Sequence, residues 1–151
     1  MKAFEFHTTK SITVERGAAA RLAERLRDLD YKSVMIVTGA GVLQTGLLEP
    51  TLSNFAELGI AVSVFSEVVA DPPEAVIQQG IYAAQQQQAD CIIGFGGGSS
   101  MDAAKLIALL CHSEQALCDV YGVNAAIGQR LPLVLIPTTA GTGSEGTAIA
   151  I

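Results

Sequence analysis

The residues best suited to chemistry in this chain are small ones, gathered in two runs. The first is Asp90-Cys91-Ile92-Ile93-Gly94-Phe95-Gly96-Gly97-Gly98-Ser99-Ser100-Met101-Asp102-Ala103-Ala104-Lys105. An apolar stretch of strand length meets three consecutive glycines, and beyond them Ala103, Leu106, Ile107 and Leu110 recur at helical spacing. That order predicts a strand, a turn without side chains and a helix start. Glycine admits positive φ and lets a ligand come close to the main chain, while Ser99, Ser100 and Asp102 are placed to cap amides of the first helical turn. Unpaired N–H groups there, with the positive end of the helix, favour a phosphate. The helix-end field supplies only about 0.3 to 1 kcal/mol, whereas micromolar binding needs about 8 kcal/mol, so direct hydrogen bonds and apolar contacts must supply the rest.

The plain alternative is a tight strand-to-helix connection whose glycines serve packing alone. The run is not a P-loop, because no Gly-Lys-Ser/Thr follows the glycines, and Ser99 stands where the G-x-G-x-x-G fingerprint asks for its third glycine. A second small-residue run, Thr138-Thr139-Ala140-Gly141-Thr142-Gly143-Ser144-Glu145-Gly146, follows the apolar stretch Leu131 to Pro137. Its hydroxyls can donate to a phosphate or a ribose; a solvated loop is the alternative reading.

These runs need elements to hold them. Val34 to Val37, Ile60 to Phe65, Cys91 to Phe95 and Leu131 to Ile136 read as four apolar strands, separated by helical stretches. The helix over 17–28 has Ala18, Leu22, Leu26 and Leu29 on one face. Pro50 divides the next stretch into a kinked helix or two short ones, and Asp71-Pro72-Pro73-Glu74 reads as a helix start capped by Asp71 in a capping-box pattern. The region 112–129 is the least predictable. Strands alternating with helices require crossover connections and hence a parallel, Rossmann-like α/β sheet flanked by helices. In such sheets ligands bind outside the carboxyl ends of the strands, so one crevice should receive both small-residue runs. At the N-terminus, alternation over 2–7 and 11–15 predicts an antiparallel strand pair.

A rival placement uses Gly39-Ala40-Gly41 after the first apolar strand, with Glu67 at the distance of a ribose-binding acid. Gln44 stands where its third glycine should be, which makes it the weaker site.

Gly96 to Lys105 and Pro137 to Glu145 together resemble the paired signatures of the iron-dependent (group III) alcohol dehydrogenases, and Val68-Val69-Ala70-Asp71-Pro72-Pro73 resembles the segment before a helix in the same family. The likeness covers essentially the whole chain. It implies a dinucleotide-binding domain over 1–151, followed in the family by an all-helical domain that holds a divalent metal, iron or zinc, through an aspartate and histidines. By that likeness Gly97, Gly98 and Ser99 lie on the cofactor diphosphate, Thr138, Thr139 and Thr142 line its crevice, and Asp71 approaches the adenosine. Asp102 and Lys105 match family positions too, although helix capping and a solvated face explain them nearly as well. Members preferring NAD often carry an acid where Gly39 stands, so NADP is expected to be tolerated or favoured. The resemblance further implies a homo-oligomer acting on a small alcohol or aldehyde. His7 and His112 lie outside both motifs, and the metal half is expected to be missing, with the chain cut near the end of its domain and inactive by itself. A non-catalytic nucleotide-binding or assembly module, or a relative of the glycerol dehydrogenases or dehydroquinate synthases, is the alternative.

Composition sets the outer bounds. The 151 residues suit one domain with a proper core, half of them apolar and only 16% charged. A net charge of -6 argues against a nucleic-acid partner, whose binding rests on Lys and Arg. The first residues lack a signal-peptide core and no apolar run reaches the roughly 18 residues of a membrane helix, so no membrane partner and a cytoplasmic location are expected. Three cysteines without a C-x-x-C pair suggest neither a disulfide framework nor a zinc knuckle.

Overall fold

The computed structural model describes residues 8–122, 124–147 and 150. Its centre is a four-stranded parallel sheet of β1 (Ser33–Val37), β2 (Ala61–Phe65), β3 (Cys91–Gly96) and β4 (Leu133–Pro137), in the order β2-β1-β3-β4. Val37 pairs with Phe65 on one side and with Gly94 on the other, and Gly96 pairs with Pro137. The chain steps outward from β1 to β2, then crosses back to lay β3 on the opposite side of β1. The topological switch therefore lies between β1 and β3.

β1 and β3 are buried along nearly their whole length, which explains why their sequences are continuous rather than alternating. Successive residues feed two cores. Met35, Val37 and Ile92 pack with α4 (Glu74–Gln86) and α5 (Gly98–Leu110), while Val34, Ile36 and Ile93 pack with α1 (Leu22–Arg27) and α3 (Glu49–Glu57) on the other face. Each fully buried residue of this kind contributes about 1.5 to 3 kcal/mol relative to exposure. Between β1 and α3 lies the short α2 (Ala40–Gln44), so the proline does start a second helix, at whose first turn it sits. No intrahelical donor is needed there.

Gly94 sets how closely the site's helix sits on the sheet. A Cβ at this position would lie 2.8 Å from both the Ala104 Cβ and the Leu135 Cδ2, and 3.2 Å from the Met101 Cα. Any larger residue would therefore push α5 off β3 or disturb β4.

The antiparallel pair is not formed as expected. Residues 11–15 are outside any strand, with Ile12 71% and Val14 93% exposed, and 2–7 lie outside the described residues. Alternation alone was a poor guide because no described neighbour offers that segment a ladder. The helix expected over 17–28 is shorter: a 3-10 turn at Ala19–Arg21 leads into α1, which buries Leu22, Ala23 and Leu26 but leaves Leu29 exposed past its end. Asp71 does not cap α4. Its φ of 47° is left-handed, the N-cap is Pro73, and no side chain bonds to the first turn. Glu74 instead accepts a hydrogen bond from the Tyr121 hydroxyl at 2.7 Å, tying α4 to the 3-10 turn Leu117–Val120.

Candidate functional site

The carboxyl edge of the sheet brings the two small-residue runs together. After Gly96 the chain turns into α5, whose N-cap is Gly97 and whose first turn receives no side-chain cap. Gly96 must be glycine: its φ is 153° and a Cβ would stand 2.6 Å from the Ser100 Oγ. The expected capping by Ser99, Ser100 and Asp102 does not occur, because all three lie within the helix rather than before it. Among the described residues, the amides of Gly98, Ser99 and Ser100 thus open the helix without side-chain partners. Donors in that state are what a phosphate oxygen seeks.

The loop after β4 closes over this helix start. The Thr138 amide donates to the Gly96 carbonyl at 2.8 Å, continuing the ladder by one bond. A Cβ on Gly97 would lie 3.5 Å from the Thr139 Oγ1, and one on Gly98 would lie 3.2 Å from the Thr142 Cγ2 and 3.4 Å from the Ser144 Oγ. Gly97, Gly98, Thr139 and Thr142 therefore meet at one place, the candidate cleft, with Ser99 next on the helix and Thr138 beside it. Thr138, Thr139 and Thr142 are exposed, and the turn is shaped by Gly141 and Gly143 at positive φ. The Ser144 amide bonds the Thr142 Oγ1 at 3.4 Å and Ser144 itself is buried. The helix start is thus met by main chain and hydroxyl-bearing side chains of the loop after β4.

Gly39 stands on the other side of the switch point. Extending the β1–β3 register by two residues sets it level with Gly96, and Val42 of the following turn would be 3.7 Å from a Cβ on Gly96. Glu67 bridges Gly39 directly, and the Val68 amide donates to the Thr38 carbonyl at 3.3 Å. Asp71 lies four residues beyond Glu67, exposed, on the loop into α4. No hydrogen bond or ion pair joins it to the Gly97 turn among the described residues.

Asp102 and Lys105 differ most from expectation. Lys105 is not on a solvated face: both residues are less than a tenth exposed, and the Lys105 Nζ donates to the Asp102 Oδ1 at 2.8 Å. Nζ also reaches the Thr147 Oγ1 at 3.4 Å, beyond the threonine loop. The pair thus links α5 to the segment after β4. Their i, i+3 spacing puts both on one helical face and was the readable signal for such a pair.

Among the described residues, no three His, Cys, Asp or Glu side chains are grouped to hold a metal, and no helix is long and apolar enough to cross a membrane. His112 is exposed at the opposite end of α5. Cys91 is buried in β3, where burial first and the Asp90 carboxylate second push its thiol up to about 12 against a smaller opposing effect of Arg130. That is an inert core thiol, as its position in the strand implied.

A doubly wound parallel sheet whose glycine and threonine runs meet at the carboxyl ends of β3 and β4, one strand from the switch point, defines an α/β domain of the nucleotide-binding kind. The family model for iron-containing alcohol dehydrogenases matches residues 9–151, and the chain belongs to that family. It is 36% identical over 146 residues to the NAD-dependent methanol dehydrogenase of Bacillus methanolicus, and 35% identical over 149 residues to the sulfoacetaldehyde reductase of Bilophila wadsworthia (strain 3_1_6). These alignments cover 97% and 99% of the chain but only 38% of either relative. A solved 1,3-propanediol oxidoreductase superposes with a TM-score of 0.89 at 29% identity, over 97% of this chain and 38% of the other. The chain thus spans well under half the length of the relatives it matches.

Proposed function

We propose that this chain is the dinucleotide-binding part of an NAD- or NADP-dependent alcohol dehydrogenase. The observation that carries the reading is the meeting of an uncapped helix start with the threonine loop, across Gly97 and Gly98. In this arrangement the amides of Gly98 to Ser100 take the diphosphate oxygens, and Thr138, Thr139 and Thr142 donate hydroxyls to phosphate or ribose. Gly39 leaves room for the adenosine end, which Asp71 approaches. Asp102 acts from behind, through Lys105, by holding the two walls at a fixed separation.

In the whole enzyme, a hydride leaves the carbinol carbon of a small alcohol for the nicotinamide ring and a proton leaves its hydroxyl, giving the aldehyde; the reverse reduces it. A divalent metal, iron or zinc, would supply polarisation of the reacting oxygen. The residues of this chain bind and orient the cofactor and keep one face of it dry. A homo-oligomer in the cytoplasm is the setting we infer for it.

Equilibrium dialysis of the 151-residue chain against NADH and NADPH tests the reading. Saturable binding of a reduced dinucleotide, displaced by ADP and accompanied by no turnover of small alcohols, is the expected result. Failure of every dinucleotide to bind would reject it.

A further inference from the structure

We propose that Glu67 is the residue by which this chain tells NAD from NADP, an inference that rests on the dinucleotide reading above. The sheet register is the first support. Val37 is level with both Phe65 and Gly94, and two residues further on Glu67 bridges Gly39 while β3 ends at Gly96. With neighbouring strands about 4.8 Å apart, Glu67 stands roughly 10 Å from the Gly96 turn, with Gly39 between them. A ribose attached to a diphosphate on the Gly97 turn and lying over Gly39 comes within reach of a glutamate side chain on that row.

The second support is steric. A Cβ at position 39 would lie 2.8 Å from the Val68 carbonyl oxygen. The main chain of Glu67 and Val68 therefore occupies the space that a side chain at 39 would need, and the carboxylate that Gly39 lacks is replaced one strand over. Val68 turns its side chain into the core with Val37 and Phe65, while Glu67 is exposed and makes no ion pair or side-chain hydrogen bond among the described residues. Its carboxylate is available to accept from two ribose hydroxyls.

The third support is the distribution of charge. From Ser33 through Ala104 the sequence contains no Lys or Arg, nor does it from Leu131 through Ile151. Every loop at the carboxyl edge of the sheet falls within those two spans, so none of them carries a cation to clamp a 2'-phosphate. Glu67 and Asp71 are the acids of the β2–α4 loop; of the two cations between the spans, Lys105 is bonded to Asp102 and Arg130 precedes β4, at the amino end of the sheet. A 2'-phosphate at this row would meet repulsion and no compensating charge.

The test is titration of the 151-residue chain with NAD+ and NADP+, as wild type, as Glu67→Gln and as Glu57→Gln, the last an exposed charge control on α3. Wild type and Glu57→Gln should bind NAD+ at least about tenfold more tightly than NADP+, the scale of a lost charge-assisted hydrogen bond. Glu67→Gln should weaken NAD+ and strengthen NADP+, so that the ratio falls by about tenfold, with the circular dichroism spectrum unchanged. A ratio within twofold of wild type in Glu67→Gln, with NAD+ still bound, overturns the role of Glu67 and leaves the dinucleotide reading standing. Absence of any dinucleotide binding by wild type overturns both.

Discussion

The Lys105 ammonium lies 2.8 Å from the Asp102 carboxylate on the buried face of α5, one turn inside the helix that follows the Gly96–Gly98 turn. Both side chains are only about a tenth exposed, so each charge depends on the other for what water would have provided. Removing one partner leaves the other buried charge less well compensated. Asp102→Asn or Lys105→Met should each lower stability by about 3 kcal/mol or more, while the double substitution should cost less than the two singles summed. Urea denaturation of the four proteins measures this, and strict additivity would show that the pair is not coupled.

Gly98 is the point where helix and threonine loop touch. Alanine there suits the first turn of a helix, yet its methyl would press on Thr142 at 3.2 Å and Ser144 at 3.4 Å. Gly98→Ala should weaken dinucleotide binding by about tenfold, or roughly 1.4 kcal/mol, and change global stability by less than about 1 kcal/mol. Calorimetric titration beside a thermal melt separates the two effects; unchanged affinity would mean that the cleft is not where the ligand sits.

Restoring an acid at position 39 offers a sharper test of the steric argument. Gly39 is the N-cap of α2, where aspartate gains only a few tenths of a kcal/mol over glycine. Against that stands a Cβ forced to within 2.8 Å of the Val68 carbonyl, the kind of overpacking that costs about 1 to 3 kcal/mol. Gly39→Asp should therefore lower the melting temperature and fail to tighten NAD+ binding. A stable variant with tighter binding would show that the β2–α4 loop yields easily.

Of the three thiols, Cys118 is exposed while Cys91 and Cys111 are buried, both with their acidities suppressed chiefly by desolvation. At pH 8 a thiol reagent should titrate one group rapidly in the native chain and three after unfolding. The linkage has a definite sign. Cys91 holds its proton in the folded state up to about 12, whereas unfolded chains release it near 9.0, so its contribution is complete below pH 9 and is lost as pH rises toward 12. Across that window wild type should lose up to about 1.4 kcal/mol more per pH unit than Cys91→Val. Parallel pH profiles for the two proteins would contradict this assignment.

Much of the sheet was legible because β1 and β3 are buried on both faces and therefore announce themselves as unbroken apolar runs. That the two small-residue runs meet was legible for a related reason: glycines and hydroxyls cluster where strands end, and parallel strands all end on one side. What escaped was decided by neighbours distant in sequence. Ile12 and Val14 alternate like a strand, but no ladder partner stands beside them among the described residues. Asp71 carries cap chemistry, yet a left-handed φ turns it away from the helix it precedes. Lys105 looked like surface until packing against the segment after β4 enclosed it. Glu67 could be found by spacing alone, but its neighbour could not: the bridge sets it beside Gly39.

A single absent methyl has the longest reach in this molecule. Because Gly94 offers α5 a bare seat, the helix and its strand meet backbone to side chain with no cushioning layer between them. The first amides of α5 begin only four residues away, too short a span to absorb a displacement at the seat. Affinity for a ligand can thus be governed by a position that never meets it, and tuning at Gly94 would shift the helix mouth as a rigid body rather than reshape its lining.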